Sequence, residues 1–196
     1  MPTNPFVETF EHFENLVVDL NIQWQMFDEL FSEPENHLLF RKSGAAFFLH
    51  LREYLSDLLC LSISRFFDPP QSSGRDNLSI KALLAYFELD PVRNELTTTE
   101  VELRAKWENG IRTWRHKRLA HSDLETAFSG ATLPAIPYAD IQYLVEGISR
   151  LSRKMRQCGC GTDVHYKIHM REWIPVLLRQ LRKAEDQGPA SPGSED

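Results

Sequence analysis

The chain of 196 residues contains only three cysteines, an odd number, which argues against a disulfide framework and favours a reducing compartment. No apolar run reaches the roughly 18 residues that make a stretch a candidate for a membrane-spanning helix. The first 20 residues contain no lysine or arginine, so we expect no signal peptide. These absences predict a cytoplasmic protein without a membrane span.

Several common signatures of catalytic and nucleotide-binding sites are also missing. The sequence contains neither G-x-G-x-x-G nor G-x4-G-K-[ST], the glycine-rich loops that bind phosphates. It contains no G-x-S-x-G elbow of a serine hydrolase and no H-E-x-x-H pair of a zinc protease. The alternation of apolar and polar residues that is typical of β-strands is absent throughout, which leaves an all-α protein as the expectation.

The apolar residues recur at intervals of three and four, and 12 Phe and 4 Trp can fill a sizeable core. This spacing predicts an all-α, up-down helical bundle of about four long helices plus one or two short helices. We expect residues 1–186 to form a single domain and residues 187–196 to be a disordered acidic tail rich in Gly, Pro and Ser. The predicted helices cover residues 6–31, 36–67, 80–88, 138–155 and 163–184, with one further helix that begins at Thr97, Thr98 or Thr99 and ends near His121.

Charge is distributed unevenly along the chain, although its sum of −6 argues against an indiscriminate nucleic-acid binder. Residues 1–40 contain eight acidic residues and no lysine or arginine. Residues 104–118 contain six lysines and arginines against one acid, Glu108. A local basic face on an acidic protein suits a restricted RNA site or an acidic partner, and the alternative is that both runs are solvated helix faces.

The basic segment with the most chemical potential is Trp114-Arg115-His116-Lys117-Arg118-Leu119-Ala120-His121. Apolar Trp107 and Ile111 precede it at helical spacing, which predicts the C-terminal end of an amphipathic helix. An arginine can bind a phosphate through a two-pronged fork, and a histidine can exchange a proton near neutral pH. Together they can cleave RNA through its own 2′-hydroxyl without a metal. The alternative is that these basic residues only stabilise the helix dipole.

The stretch from Arg115 to His121 resembles the R-x4-6-H signature of HEPN domains (higher eukaryotes and prokaryotes nucleotide-binding). Ser122-Asp123 resembles the abortive-infection branch of that superfamily, as does Ser64-Arg65-Phe66-Phe67-Asp68. The resemblance implies a metal-independent endoribonuclease, commonly a toxin or phage-defence effector.

The same resemblance implies roles for individual residues. His121 is expected to act as general base or acid at the 2′-hydroxyl, and Arg115 to bind the scissile phosphate and stabilise its developing charge. The family often has Asn or Asp where this chain has His116, which affects substrate choice and pH optimum. The residues expected to bind substrate are His116, Lys117, Arg118 and Arg65.

Two other functions remain open at this point. A non-catalytic HEPN-like module that binds nucleotide, RNA or protein is the main alternative, and a structural bundle that dimerises is the third. The presence of both Arg115 and His121 favours the enzyme. The expected partners are RNA, a second copy of the chain in a two-fold homodimer and an antitoxin or immunity protein.

Arg65 either points into the phosphate site or pairs with Asp68 or Asp57.

A potential metal site remains, in the pattern C-x-C-x4-H-x3-H formed by Cys158, Cys160, His165 and His169. Four nitrogen and sulfur ligands suit zinc. However, C-x-C is tighter than the usual C-x2-4-C, and the middle spacer is far shorter than in a zinc finger. We therefore predict no metal and no cofactor.

Overall fold

The computed structural model describes residues 5–116, 136–166 and 173–186, and this part of the chain is mostly helical. The predicted all-α helical bundle is confirmed. No helix in these ranges is long and apolar enough to cross a membrane. The helices are α1 (Pro5–Phe31), α2 (Pro34–Phe66), α3 (Ile80–Leu84) with a 3-10 turn (Ala85–Phe87), α4 (Arg93–Glu108), α5 (Ile111–Trp114), α6 (Tyr138–Cys160) and α7 (Trp173–Asp186).

The chain divides into two compact units. The first comprises Met1–Trp24 and Asp57–Ile168, and the second comprises Gln25–Ser56 and His169–Asp196. Within the first unit, α4 and α6 pack against each other in antiparallel directions. Glu95 near the start of α4 pairs with Lys154 late in α6, and Lys106 near the end of α4 pairs with Asp140 at the start of α6.

Aromatic residues of α1 form the centre of the first unit. Phe6 stacks on Phe10 at 5.1 Å between ring centroids, and Phe13 meets Phe66 of α2 edge-on at 5.2 Å. These side chains are buried, as their spacing of three and four predicted, and each buried phenylalanine contributes about 1.5–3 kcal/mol. The sequence therefore placed this apolar stripe correctly.

Helix α2 bends at Gly44. Gly44 has φ 152° and ψ 64°, a backbone conformation that L side chains rarely adopt, so glycine is required there. In the second unit, to which Gly44 belongs, the Asn36 amide donates to the carbonyls of Glu29 and Leu30 and accepts from Arg182 of α7. Asn36 thus joins the end of α1, the start of α2 and α7.

A small antiparallel hairpin follows α2, within residues that the sequence indicated as a loop. Strands β1 (Gln71–Ser72) and β2 (Arg75–Asp76) pair through a tight turn in which Ser73 and Gly74 both have positive φ. Strands of two residues are too short to give a period-two signal, which is why the sequence pattern did not indicate them.

The predicted single helix from Thr97–Thr99 to His121 is wrong at both its start and its middle. Helix α4 begins at Arg93, and the hydroxyls of Thr98 and Thr99 donate to carbonyls four residues earlier, so they lie inside the helix. The helix ends at Glu108, and Gly110 (φ −146°, ψ −77°) separates it from α5. Asn-Gly is a turn signal, and here it outweighs the helical spacing of the apolar residues around it.

Helix α6 continues through Cys158-Gly159-Cys160, where the sequence predicted its end. The helix ends instead with Gly161 in a left-handed conformation, a common helix terminus. Gly159 has a packing role, because a Cβ built on it would lie 2.0 Å from Cε1 of Phe6. The glycine therefore allows the Phe6 ring to lie directly against the backbone of α6.

After Gly161 the chain folds back along α6, so the predicted helix 163–184 is wrong over residues 163–166, which are not helical. The Tyr166 hydroxyl donates to Glu14 at 2.8 Å and is hydrogen-bonded to Ser152 at 2.8 Å. Burial raises the pKa of the Tyr166 phenol, so it remains a donor. These contacts hold the returning segment against α6 and α1.

The close approach of Phe6 and Gly159 gives a stability prediction. Gly159→Ala should lower the free energy of unfolding by about 1–3 kcal/mol because the added methyl displaces a buried ring, although alanine is the better helix former. Urea unfolding monitored by circular dichroism measures this change. Cys158→Ala, at an exposed position on the same helical turn, is the matched control and should be nearly neutral. A Gly159→Ala variant more stable than the parent would contradict the packing.

Candidate functional site

The predicted motif begins directly after α5, where Arg115 and His116 lie in a π-helical turn. Such turns are rare and occur frequently at functional sites. The Arg115 side chain is 29% exposed, and His116 is exposed. Of the other predicted site residues, Lys117, Arg118 and His121 lie outside the described residues.

Arg115 forms an ion pair with the residue just beyond the end of α2. Its Nη1 donates to Oδ1 of Asp68 at 2.5 Å, and the two side chains are 29% and 21% exposed. A charge-assisted hydrogen bond between partly buried groups is stronger than a surface ion pair. The pair therefore fixes one edge of the guanidinium and leaves its remaining N–H donors for another ligand.

Helix α4 holds the segment from Ser64 to Asp68 in place. The indole N–H of Trp107 donates to the Ser64 hydroxyl at 3.0 Å, and this hydroxyl donates to the Cys60 carbonyl at 2.7 Å. The Trp107 ring also stacks on Phe67 at 5.3 Å. Helix α4 therefore packs directly against the segment from Ser64 to Asp68 that carries the partner of Arg115.

A second polar contact from α4 reaches the same segment through a buried ion pair. Nε of Arg104 donates to Glu100 at 2.6 Å, and Glu100 is only 2% exposed. Nη1 of the same arginine donates to the carbonyl of Phe67 at 3.1 Å, and its Cζ lies 5.6 Å from the centroid of the Phe67 ring. Arg104 therefore neutralises a buried carboxylate and binds a carbonyl beyond the end of α2.

Arg65 is exposed, and within the described ranges no carboxylate forms an ion pair with it. Asp68, which the sequence offered as a partner for Arg65, pairs with Arg115 instead. Sequence reasoning missed the pair of Glu100 and Arg104, because no local pattern shows that Glu100 is buried. The spacing of four residues between an acid and an arginine was the available signal.

An open groove lies where the end of α4 meets the start of α6. It has a volume of about 490 Å³, and its lining includes the ion pair of Lys106 and Asp140 together with Asn109 and Tyr143. Glu102 adds a second acid to this lining. Because acids outnumber the single lysine, this groove does not attract a polyanion.

The described residues contain no group of three His, Cys, Asp or Glu side chains that could hold a metal ion. Cys158 and Cys160 are free thiols, and burial raises the pKa of the Cys160 thiol. His165 does not lie on a helix, and His169 is outside the described residues. Its Nδ1 lies 3.3 Å from a guanidinium nitrogen of Arg153.

Comparison with known families gives one finding for this chain. The model of the family HEPN_AbiU2, described as AbiU2, an abortive-infection HEPN domain, matches residues 3–155. That range includes α1 to α5 and most of α6, with both Asp68 and Arg115. Neither the curated proteins nor the solved structures include a match to the chain.

The buried pair of Glu100 and Arg104 gives a second stability prediction. Arg104→Met keeps an apolar stem but leaves Glu100 buried without its cation, so the free energy of unfolding should fall by about 3–5 kcal/mol. Arg112→Met is the matched control on the neighbouring helix, because Arg112 pairs with Glu108 at an exposed position. The control should cost no more than about 1 kcal/mol. If both variants lose the same free energy of unfolding in urea, the buried ion pair contributes no more to stability than the exposed one.

Proposed function

Because the chain belongs to the AbiU2 family of abortive-infection HEPN domains, we propose that it is a metal-independent endoribonuclease that acts as a toxin or phage-defence effector. The partners that this proposal implies are RNA, a second copy of the chain, and an antitoxin or immunity protein. No resident metal or cofactor takes part in the proposed chemistry.

The proposed reaction uses the RNA as its own nucleophile. A 2′-hydroxyl loses its proton to a base and attacks the neighbouring phosphorus, and the 5′-oxygen of the next nucleotide leaves with a proton. His121 exchanges protons at these oxygens, and Arg115 stabilises the negative charge that builds on the phosphate. His116, Lys117, Arg118 and Arg65 contribute binding of the substrate.

The observation that supports this proposal best is the ion pair of Arg115 with Asp68. A guanidinium held along one edge is oriented in advance, so it needs little reorganisation when a phosphate approaches. The Arg115 side chain is 29% exposed, so a ligand can reach it. A purely structural ion pair would not require the arginine to be followed by an exposed histidine, which here is His116.

The central experiment measures cleavage of labelled RNA by the purified protein in the presence of a chelator. RNA should be cut to a 2′,3′-cyclic phosphate and a 5′-hydroxyl, and DNA of the same sequence should stay intact because it lacks the nucleophile. Arg115→Ala and His121→Ala should each lower the maximal rate by about 10²–10⁴-fold.

The matched control for these variants is Arg112→Ala, which removes an exposed arginine one helical turn before Arg115. It should cleave like the parent, and circular dichroism should show that all variants are folded. If folded His121→Ala cuts RNA as fast as the parent, the enzyme proposal fails. The chain would then be a non-catalytic module that binds RNA, nucleotide or protein.

Asp68 has a separate prediction, since we assign it as the residue that positions Arg115. Asp68→Asn removes the charge but keeps the shape, so the maximal cleavage rate should fall by about 10- to 100-fold through a misplaced guanidinium. The RNA concentration at half-maximal rate should change little, because Asp68 itself does not bind substrate.

Asp68→Glu is the matched variant that restores the carboxylate, and it should recover part of the lost rate. Recovery distinguishes positioning from a general structural role, since the longer side chain disturbs packing at least as much as asparagine does. Faster cleavage by Asp68→Asn would contradict the assignment, because Asp68 would then compete with the phosphate for Arg115.

A further inference from the structure

A second groove lies on the first unit, along the last turns of α6. It has a volume of about 180 Å³ and is lined by Arg150, Arg153, Lys154, Gln157 and Asp163. The four residues of α6 occupy positions i, i+3, i+4 and i+7, so they share one helical face. The returning segment after Gly161 supplies Asp163, the one acid of the lining.

The cations near this groove differ in whether a carboxylate neutralises them. Glu95 binds Lys154 at 3.0 Å, and Glu14 forms an ion pair with Arg156, which also donates to Thr162. These two positive charges are therefore already compensated.

The other two cations of α6 have no such partner. Within the part of the chain that the structure describes, no carboxylate lies within ion-pair distance of Arg150 or Arg153. Arg150 is exposed, and the guanidinium of Arg153 lies 3.3 Å from Nδ1 of His165, a contact that brings no negative charge when the imidazole is neutral. Two uncompensated guanidiniums one helical turn apart remain in the groove.

The groove and the motif lie toward opposite ends of the same helix pair. Arg115 directly follows the short helix α5, just beyond the end of α4, where Lys106 pairs with Asp140 at the start of α6. The groove instead lies beside Glu95 at the start of α4. Asp140 and Arg153 are separated by about 20 Å along α6 at the usual helical rise. A ligand that reaches both must be a chain of several charged units.

We propose that the groove of Arg150 and Arg153 binds the phosphate backbone of RNA at a distance from the bond that is cut. This inference rests on the proposed ribonuclease function and adds an extended binding site to it. Arginine forks match phosphate oxygens, and their pairing with a flexible single strand needs no particular base. The site would hold a long RNA in place, while a very short RNA that reaches only Arg115 would not occupy it.

The experiment compares the parent with Arg150→Gln/Arg153→Gln, using a single-stranded RNA with 2′-O-methyl groups that the protein cannot cut. Fluorescence anisotropy should show an affinity about 5- to 30-fold weaker for the variant. The slope of log affinity against log salt should fall by about 1.4, the value expected for two lost phosphate contacts on a single strand. Arg150→Gln alone should show a smaller loss in the same direction and leaves the contact of Arg153 with His165 intact.

Arg41→Gln/Arg52→Gln is the matched control, since it removes two exposed arginines elsewhere and gives the same net charge. It should bind RNA like the parent. An equal loss in this control, or parental RNA binding by the groove variant, would overturn the proposal. So would a groove variant that loses affinity for polyglutamate but not for RNA, since the groove would then be a site for an acidic protein.

Cleavage assays separate this inference from the enzyme proposal. The groove variant should need more of a long RNA to reach half-maximal rate, with an unchanged maximal rate and unchanged cleavage of a very short RNA. If the parent cuts RNA and the groove variant matches it on long RNA, the groove proposal alone fails. If the parent cuts no RNA but the groove variant loses RNA binding, the enzyme proposal fails and the groove remains a binding site.

Discussion

The contact between α4 and the end of α2 is the interaction on which the candidate site depends. Trp107 and Arg104 bind the Ser64 hydroxyl and the Phe67 carbonyl, and Asp68 is the next residue along the chain. Each neutral hydrogen bond contributes only about 0.5–1.5 kcal/mol, but the carbonyl lies beyond the last helical turn, where no helical partner is available. Without these contacts, the position of Asp68 relative to Arg115 would not be fixed.

Arg104, which makes one of these contacts, also belongs to a buried ion pair with Glu100. Burying charges costs free energy, and the structure offsets this cost locally. Glu100 is almost fully buried, and a carboxylate in that position is unfavourable unless a cation neutralises it. Arg104 supplies the cation and, with a second nitrogen, binds the end of α2. The buried ion pair therefore serves to orient a hydrogen-bond donor more than to stabilise the fold, since an apolar pair of the same volume would stabilise the core equally well. What an apolar pair cannot provide is a donor aimed at the Phe67 carbonyl.

The sequence predicted the fold well because apolar spacing dominates in long helices. The apolar stripe of α1 is such a local feature, because neighbouring residues along the helix determine it. Two predictions were wrong: the helix through Gly110 was predicted to be unbroken, and α6 was predicted to end before Gly159. Each depends on a glycine, and a sequence alone does not tell whether a glycine ends a helix or makes room for a ring such as that of Phe6.

The candidate site was predictable in its parts but not in its pairing. The spacing of the motif identified Arg115, and resemblance identified the segment that contains Asp68, yet their contact spans 47 positions of the chain. No local pattern indicates which of several carboxylates an arginine will bind. The buried position of Glu100 depends in the same way on tertiary packing, and its residue type favoured the surface.

The break at Gly110 also affects how the motif is oriented. In an unbroken helix, the direction of Arg115 would follow from its distance to Arg104 at about 100° per residue, and inserting one residue would rotate it to another face. Because the helix is interrupted at Gly110, the direction in which α4 side chains point does not determine the direction of Arg115. The direction of Arg115 is set by the carboxylate of Asp68, beyond the end of α2. The number of residues between α4 and Arg115 is therefore free to vary while the guanidinium keeps its orientation.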